Sequence, residues 1–140
     1  MKIIYNVLKL FILGVTLTSL LIAAENVNLK SPESLINSFV SALKAGNPII
    51  AGKCFDPEIK NFYLPKPVSI SKFKIIKKVY YSIREVQEWQ KKKIKPNAKV
   101  GDIELIVHIF QGEIVDKYTF LVRKINNNWF IVSHSSWAVQ

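Results

Sequence analysis

The chain is expected to form an α+β domain in which an N-terminal helix packs on a curved antiparallel sheet, and three observations point there. One early stretch carries apolar residues at helical spacing between recognisable caps. Residues 101–140 hold three alternating apolar/polar runs joined by short turns. The region between them is broken by prolines, then becomes rich in β-branched and aromatic residues. Helix first and strands afterwards is the order of an α+β fold rather than of repeated βαβ units.

The first segment stands apart from this domain. In "MKIIYNVLKLFILGVTLTSLLIAAEN", Lys2 and Lys9 precede an uncharged run from Leu10 to Ala24 that closes on small residues before Glu25. That is the layout of a secretory signal peptide, residues 1–24, cleaved after Ala24. A spanning helix needs about 20 apolar residues and this run is shorter, so an uncleaved inner-membrane anchor is the alternative. The single cysteine, Cys54, lies far from the run, so no lipid-anchored maturation is indicated. Residues 25–140 have the size of one domain with one core, exported to a periplasm or the exterior.

The net charge is +10, of which Lys2 and Lys9 supply two, and lysine outnumbers arginine 18 to 2. Such a field favours anionic surfaces. An exported protein meets no nucleic acid, so the expected anionic partners are phospholipid, lipopolysaccharide or wall polymer. Lysine lacks the planar fork that reads phosphate bidentately, and abundant Asn and Ile beside it also fit an AT-rich coding sequence. Cys54 excludes an internal disulfide. It reads as a small buried hydrophobe, with an intermolecular bridge or a reactive thiol as alternatives.

In "SPESLINSFVSALKAGN", Ser31 can cap a helix, Pro32 suits its first turn, Glu33 favours its positive end and Gly46 can terminate it. Leu35, Ile36, Phe39, Val40 and Leu43 form one apolar stripe. Next, "PIIAGKCFDPEIKNFYLPKP" has room only for short helical turns between Gly52, Pro57, Pro65 and Pro67, with Asp56 before Pro57 as a second start signal. In "VSISKFKIIKKVYYSIREVQEW", Phe73, Ile75, Val79, Tyr81 and Ile83 fall at even spacings and predict a strand; Ile76, Val79, Tyr80 and Ile83 also fit a helical spacing. "QKKKIKPNAK" reads as a charged loop. The runs "DIELIVHIF", "IVDKYTFLVRKI" and "WFIVSHSSWAV", joined by "QGE" and "NNN", predict an antiparallel meander.

The helix ending in Gly-Asn, the following "AGKCFDPEI" and the hairpin "YTFLVRKINNNWFIVS" together resemble small exported members of the nuclear transport factor 2-like, cystatin-like superfamily. In that superfamily a late strand carries a Trp-x-Ile pattern, here Trp129 and Ile131. The resemblance covers nearly all of residues 25–140. It implies a cone with a pocket between helix and sheet, and a convex sheet face that often serves as a dimer surface. It implies no one activity, because the fold hosts enzymes, ligand binders and scaffolds.

Register follows from the turns. Pairing Gln111 with Ile114 sets Asp102 opposite Arg123, Glu104 opposite Leu121, Ile106 opposite Thr119 and His108 opposite Lys117. Ile103, Leu105, Val107 and Ile109 then share the other face with Val122, Phe120, Tyr118 and Asp116, so core and exterior separate. Pairing Lys124 with Trp129 puts Trp129 and Ile131 on the helix face. Continued without interruption, that register brings Ser133, Ser135 and Trp137 beside Tyr118 and sends Phe130, Val132, His134 and Ser136 outward.

Three surfaces become candidates. Tyr118, Ser133, Ser135 and Trp137 would line the cone as a pocket for a small molecule of unspecified identity. Ile106, His108, Thr119, Leu121, Phe130 and Val132 would form an apolar patch on the convex face, a contact for a second copy or another protein. Trp89, Lys91, Lys92, Lys93 and Lys95 would rest on an anionic envelope surface. Lys72, Lys74, Lys78 and Arg84 are expected on one face of the first strand run. No catalytic, metal or cofactor residues are assigned. Glu104 and His108 are roughly 13 Å apart along a strand, too far for the direct hydrogen bond that proton transfer needs. The expected function is therefore an exported, non-enzymatic binding or accessory module. The alternatives are a small pocket enzyme of isomerase or dehydratase type and a membrane-anchored envelope scaffold subunit.

Overall fold

A computed structural model describes residues 26–59, 69–95 and 97–138, except for the side chains of 136–138. The expected signal peptide, residues 1–24, lies outside them, as do Pro65 and Pro67. Among the described residues no helix is long and apolar enough to cross a membrane.

Helix α1 is Pro32–Lys44. Ser31 caps it by accepting from the Ser34 N–H at 3.1 Å, which satisfies an amide the helix cannot bond internally. It ends as a Schellman motif: Gly46 sits at φ +65°, and the Asn47 N–H reaches back to the Ala42 carbonyl at 2.9 Å, a left-handed turn that suits glycine. A one-turn helix α2, Pro48–Gly52, follows, with Asn47 accepting from the Ile50 N–H. Asp56 then makes a tight turn, its side chain accepting from the Glu58 N–H.

Strand β1 is Lys72–Tyr80, helix α3 is Ile83–Lys91, and strands β2 (Ile103–Gln111), β3 (Ile114–Ile125) and β4 (Asn128–Ala138) complete one antiparallel sheet in the order β1-β2-β3-β4. The described fold is mixed α and β, with a four-stranded sheet and a few helices. The β2–β3 register is the expected one from Ile103↔Val122 to Gln111↔Ile114. The β3–β4 turn has Asn126 and Asn127 both at positive φ, the two-residue type I′ geometry that matches strand twist.

The inner face of the sheet takes α1. Leu35, Ile36, Phe39 and Val40 meet Leu105, Val107, Ile109, Phe120, Val122 and Ile131 in one buried cluster, and the Phe39 ring stands edge-on to both Phe55 and Phe120. Cys54 is fully buried there, and burial pushes its thiol up to about 12, so it stays protonated and inert as a nucleophile at neutral pH.

Three expectations need correcting. First, residues 83–91 form a helix rather than strand. Ser82 and Glu85 make a reciprocal capping box, and the pair fixes a helix start that even spacing of Tyr81 and Ile83 does not reveal. Second, β1 carries a bulge at Ile76: Ile75 pairs with Val107 and Lys77 with Ile106. One extra residue exchanges the faces beyond it, so Lys72, Lys74 and Lys77 share the outer face while Lys78 turns inward and pairs with Glu33 of α1. The expected common face of Lys72, Lys74, Lys78 and Arg84 does not exist, and Arg84 belongs to α3.

Third, β4 carries a bulge at Val132. Ile131 pairs with Val122, but Ser133 pairs with Leu121, Phe120 with His134, and Tyr118 with Ser136. Trp129 and Ile131 are on the helix face as expected. Beyond them the faces are exchanged: His134 turns inward, and Ser133 and Ser135 turn outward. The strand is gripped at this point from its free edge, where the Ile131 N–H donates to the Cys54 carbonyl and the Ile131 carbonyl accepts from the Asp56 N–H.

Candidate functional site: the outer face of the sheet

The expected cone pocket is divided by the β4 bulge. Tyr118 is 8% exposed on the inner face and stacks on Phe120 at 5.9 Å. Ser133 and Ser135 lie on the opposite side of the sheet, across from Leu121 and Thr119, and Trp137 pairs with Lys117 in the same register. Tyr118 therefore shares no cavity wall with Ser133 and Ser135. His134 takes the inward position instead, with its ring 5.7 Å from Phe55 and 6.1 Å from Phe120. His108 remains on the outer face between Lys74 and Lys117, so the two histidines are on opposite sides of the sheet.

Residues from all three expected surfaces contribute to one feature, the outer face, and it has two unlike ends. At one end α3 and residues 92–95 and 97–101 fold over the sheet. Tyr81, Val86 and Ala98 form a second small core against Val79, Trp89 and Leu121. The Tyr81 and Trp89 rings meet edge-on at 4.6 Å.

Two ion pairs fasten this overhang. Asp102, 1% exposed, accepts from Arg123 Nε and Nη2 at 2.8 Å each and from the Lys99 N–H at 2.8 Å. Arg123 Nη2 also donates to the Asn97 carbonyl. This is the fork geometry that suits guanidinium and carboxylate, and the Asp102 hydrogen bond raises the Arg123 pKa further. In the second pair, Glu104 Oε2 accepts from Tyr81 Oη at 2.5 Å and from Lys95 Nζ at 2.9 Å. Lys95 also donates to Tyr81 Oη, and its ammonium lies over the Trp89 ring at 4.6 Å.

The titration behaviour of this trio fits a rivet. Burial and the Glu104 hydrogen bond push Tyr81 up to about 12. Burial opposes the charges of Lys95 and Glu104, but their mutual bonds and those to Tyr81 prevail, raising Lys95 and lowering Glu104. All three hold their protonation states through neutral pH, which suits a structural cluster better than a general acid or base.

Beside it lies an open groove of about 280 Å³, lined by Tyr81, Lys95, Glu104, Thr119, Ser133 and Ser135 among others. Lys95 and Trp89, expected to rest on an anionic surface, are thus engaged by the fold. Lys91, Lys92 and Lys93 are exposed at the end of α3, with Lys92 near Glu88 at 3.5 Å.

The other end is uncovered. Ile106, His108, Phe110, Val115 and Thr119 are half-buried there. Ile106, Phe110 and Val115 belong to neither core cluster. Of the expected partner patch, Ile106, His108 and Thr119 remain on this open surface. Leu121 is taken up by the small core, Phe130 stands opposite Arg123, and Val132 is the bulged residue.

The capping box at Ser82 and Glu85 was legible in "SIRE". The β1 bulge also left a trace: in "KFKIIKKVY" the alternation breaks at Ile76, and only an extra residue there keeps Lys72, Lys74 and Lys77 together. Compared with protein-family models, curated proteins and solved structures, the chain matches none of them.

Proposed function

We propose that this chain is an exported, non-enzymatic accessory module of the nuclear transport factor 2-like kind that engages a protein partner through the open end of its outer sheet face. One observation carries the reading: the paired Phe110 and Val115, and Ile106 on the other side of His108, are apolar residues on the outer sheet face that belong to neither core. Apolar patches left over on a sheet face mark contact surfaces. The family reading is supported by the long capped helix lying across a four-stranded antiparallel sheet, with Trp129 and Ile131 turned toward it.

A pocket enzyme is the second reading, and His134 is the residue that favours it, since the β4 bulge turns it to the helix side. The acid on that face of the meander is Asp116, opposite Ile109. It lies near Ala138 in the register, roughly 13 Å along the strand from His134. Its carboxylate is engaged by Gln111 Nε2 at 2.8 Å. His134 packs against the Phe55 and Phe120 rings on the helix side, and Asp116 is too far along the strand to bond it directly.

A photo-crosslinking amino acid placed at position 106, and separately at the exposed position 49, in cells of the native host tests the contact. The reading expects a discrete adduct from position 106 and none from 49. No adduct at 106, or the same products from both positions, contradicts it.

A further inference from the structure

Lys72, Lys74 and Lys77 stand on the outer side of β1 opposite Phe110, His108 and Ile106, and Lys117 flanks His108 from β3. Lys74 and Lys117 flank His108 from the two neighbouring strands. Among the described residues none of these four lysines is in an ion pair. Three of the nearby acids are committed elsewhere, Glu104 to Lys95, Asp102 to Arg123 and Glu33 to Lys78, Asp116 lies opposite Ile109 and accepts from Gln111, and Glu113 is in the turn beyond the strand ends. Lys77 pulls on Glu104 only from a distance. The Lys72 ammonium lies over the Phe110 ring at 4.6 Å, so aromatic and cation form one surface.

We infer that the open end of the outer face docks an acidic protein segment, whose carboxylates meet Lys72, Lys74 and Lys117 around an apolar contact on Ile106, Phe110 and Val115; this rests on the protein-contact reading above. Charge selects this occupant over the others. A second copy bound by two-fold symmetry would set the same patch against itself, bringing lysines against lysines, and like charges directly opposed repel. A membrane surface is a poorer match, because Ile106, Phe110 and Val115 are half-buried within the sheet face, whereas interfacial binding buries a projecting apolar face. An acidic protein segment supplies both the charge and an apolar surface that stays level with the sheet.

The test is titration of the ¹⁵N-labelled protein with the peptide Glu-Val-Glu-Phe-Glu-Val-Glu, followed through backbone amide shifts. The expected result is perturbation at Lys74, Ile106, Phe110 and Lys117, with affinity falling about tenfold between roughly 20 and 200 mM salt. The Lys74→Glu, Lys117→Glu double variant is expected to weaken binding by at least about tenfold. Should that variant lose its folded spectrum, Lys74→Gln with Lys117→Gln carries the same test. If the Gln-for-Glu peptide binds the same amides as tightly, the acidic preference is wrong while the protein-contact face stands. An acidic peptide that leaves these amides unshifted, or that shifts only Lys91–Lys93, overturns the inference. So does binding to phosphatidylcholine vesicles holding about one-third phosphatidylglycerol in the absence of any peptide binding.

Discussion

Near the start of β2, the acids of the outer face each have a cation against them: Asp102 holds Arg123, and Glu104 holds Lys95. Farther along β2, Lys74, His108 and Lys117 stand abreast with no carboxylate in the row. Both ends belong to the same face and the same strands. They differ in what overhangs them: α3 and residues 92–95 and 97–101 bring Lys95, Asn97 and Ala98 down onto the first end, while none of the described residues covers the second. The chain's excess of lysine is therefore not spread evenly over this face. Cation and acid are paired at the covered end, where Asp102 and Glu104 fasten the overhang, and Lys72, Lys74, Lys77 and Lys117 are in none of the ion pairs among the described residues.

The largest way to break this contrast is to remove the buried acid. Asp102→Ala leaves Arg123 unpaired beneath the loop, and breaking a buried pair from one side costs about 3–5 kcal/mol. Urea unfolding should show that loss, with amide exchange accelerated first in residues 97–101. A loss below about 1 kcal/mol would place the pair with weak surface bridges.

Tyr81→Phe sharpens the same end. It deletes a hydrogen bond to a charged acceptor, worth about 1.5–3 kcal/mol. It also alters the pH profile in a stated direction. Tyr81 has a folded pKa of about 12 against an ordinary tyrosine value of 10.0, so its contribution is complete below pH 10 and is lost as pH rises through 12. The wild type should lose stability across that window more steeply than the Phe variant. Cys54, raised from 9.0 to about 12, adds a slope of the same sign to both proteins. Equal alkaline slopes in the two would mean that Tyr81 is not coupled to the fold in this way.

Leu121→Lys, a natural choice for testing the partner patch, should act at the covered end instead. Leu121 packs against Tyr81, Val86 and Ala98, so a charge there should cost about 1–2 kcal/mol. Ile106→Thr, on the open part of the face opposite Lys77, should cost less than about 1 kcal/mol, since Thr keeps a β-branched strand side chain and adds no charge. Matching losses from the two variants would erase the distinction between the ends.

The sequence disclosed the central strands and left the edges hidden, for a physical reason. In β2 and β3, alternation is strict from Ile103 to Ile109 and from Tyr118 to Val122, and both neighbours hold the register, so a pattern of period two suffices. Asp102 and Arg123 were legible as a pair from that register alone. In the edge strands β1 and β4 one side lacks a strand partner, and a single extra residue can be accommodated. Ile76 and Val132 are such residues, and each exchanges the faces after it. That exchange dispersed the expected pocket of Tyr118, Ser133, Ser135 and Trp137. The Ile76 bulge also sets Lys77 on the outer face with Lys72 and Lys74 and turns Lys78 inward to Glu33. The Tyr81–Glu104–Lys95 cluster joins residues from three separate elements, which only the folded chain brings together.

One pair of variants tests the account most directly, because it makes the same chemical change at both ends of one face. Lys95→Gln removes a cation from Glu104, Tyr81 and the Trp89 ring, and should destabilise by about 1 kcal/mol. Lys74→Gln removes a lysine that is in none of the ion pairs among the described residues, and should leave stability unchanged within about 0.3 kcal/mol. Urea unfolding of both variants at low salt, beside the wild type, gives the comparison. Opposite or clearly unequal shifts are the predicted result; equal destabilisation by the two would contradict the division of the outer face into a paired end and an open, basic one.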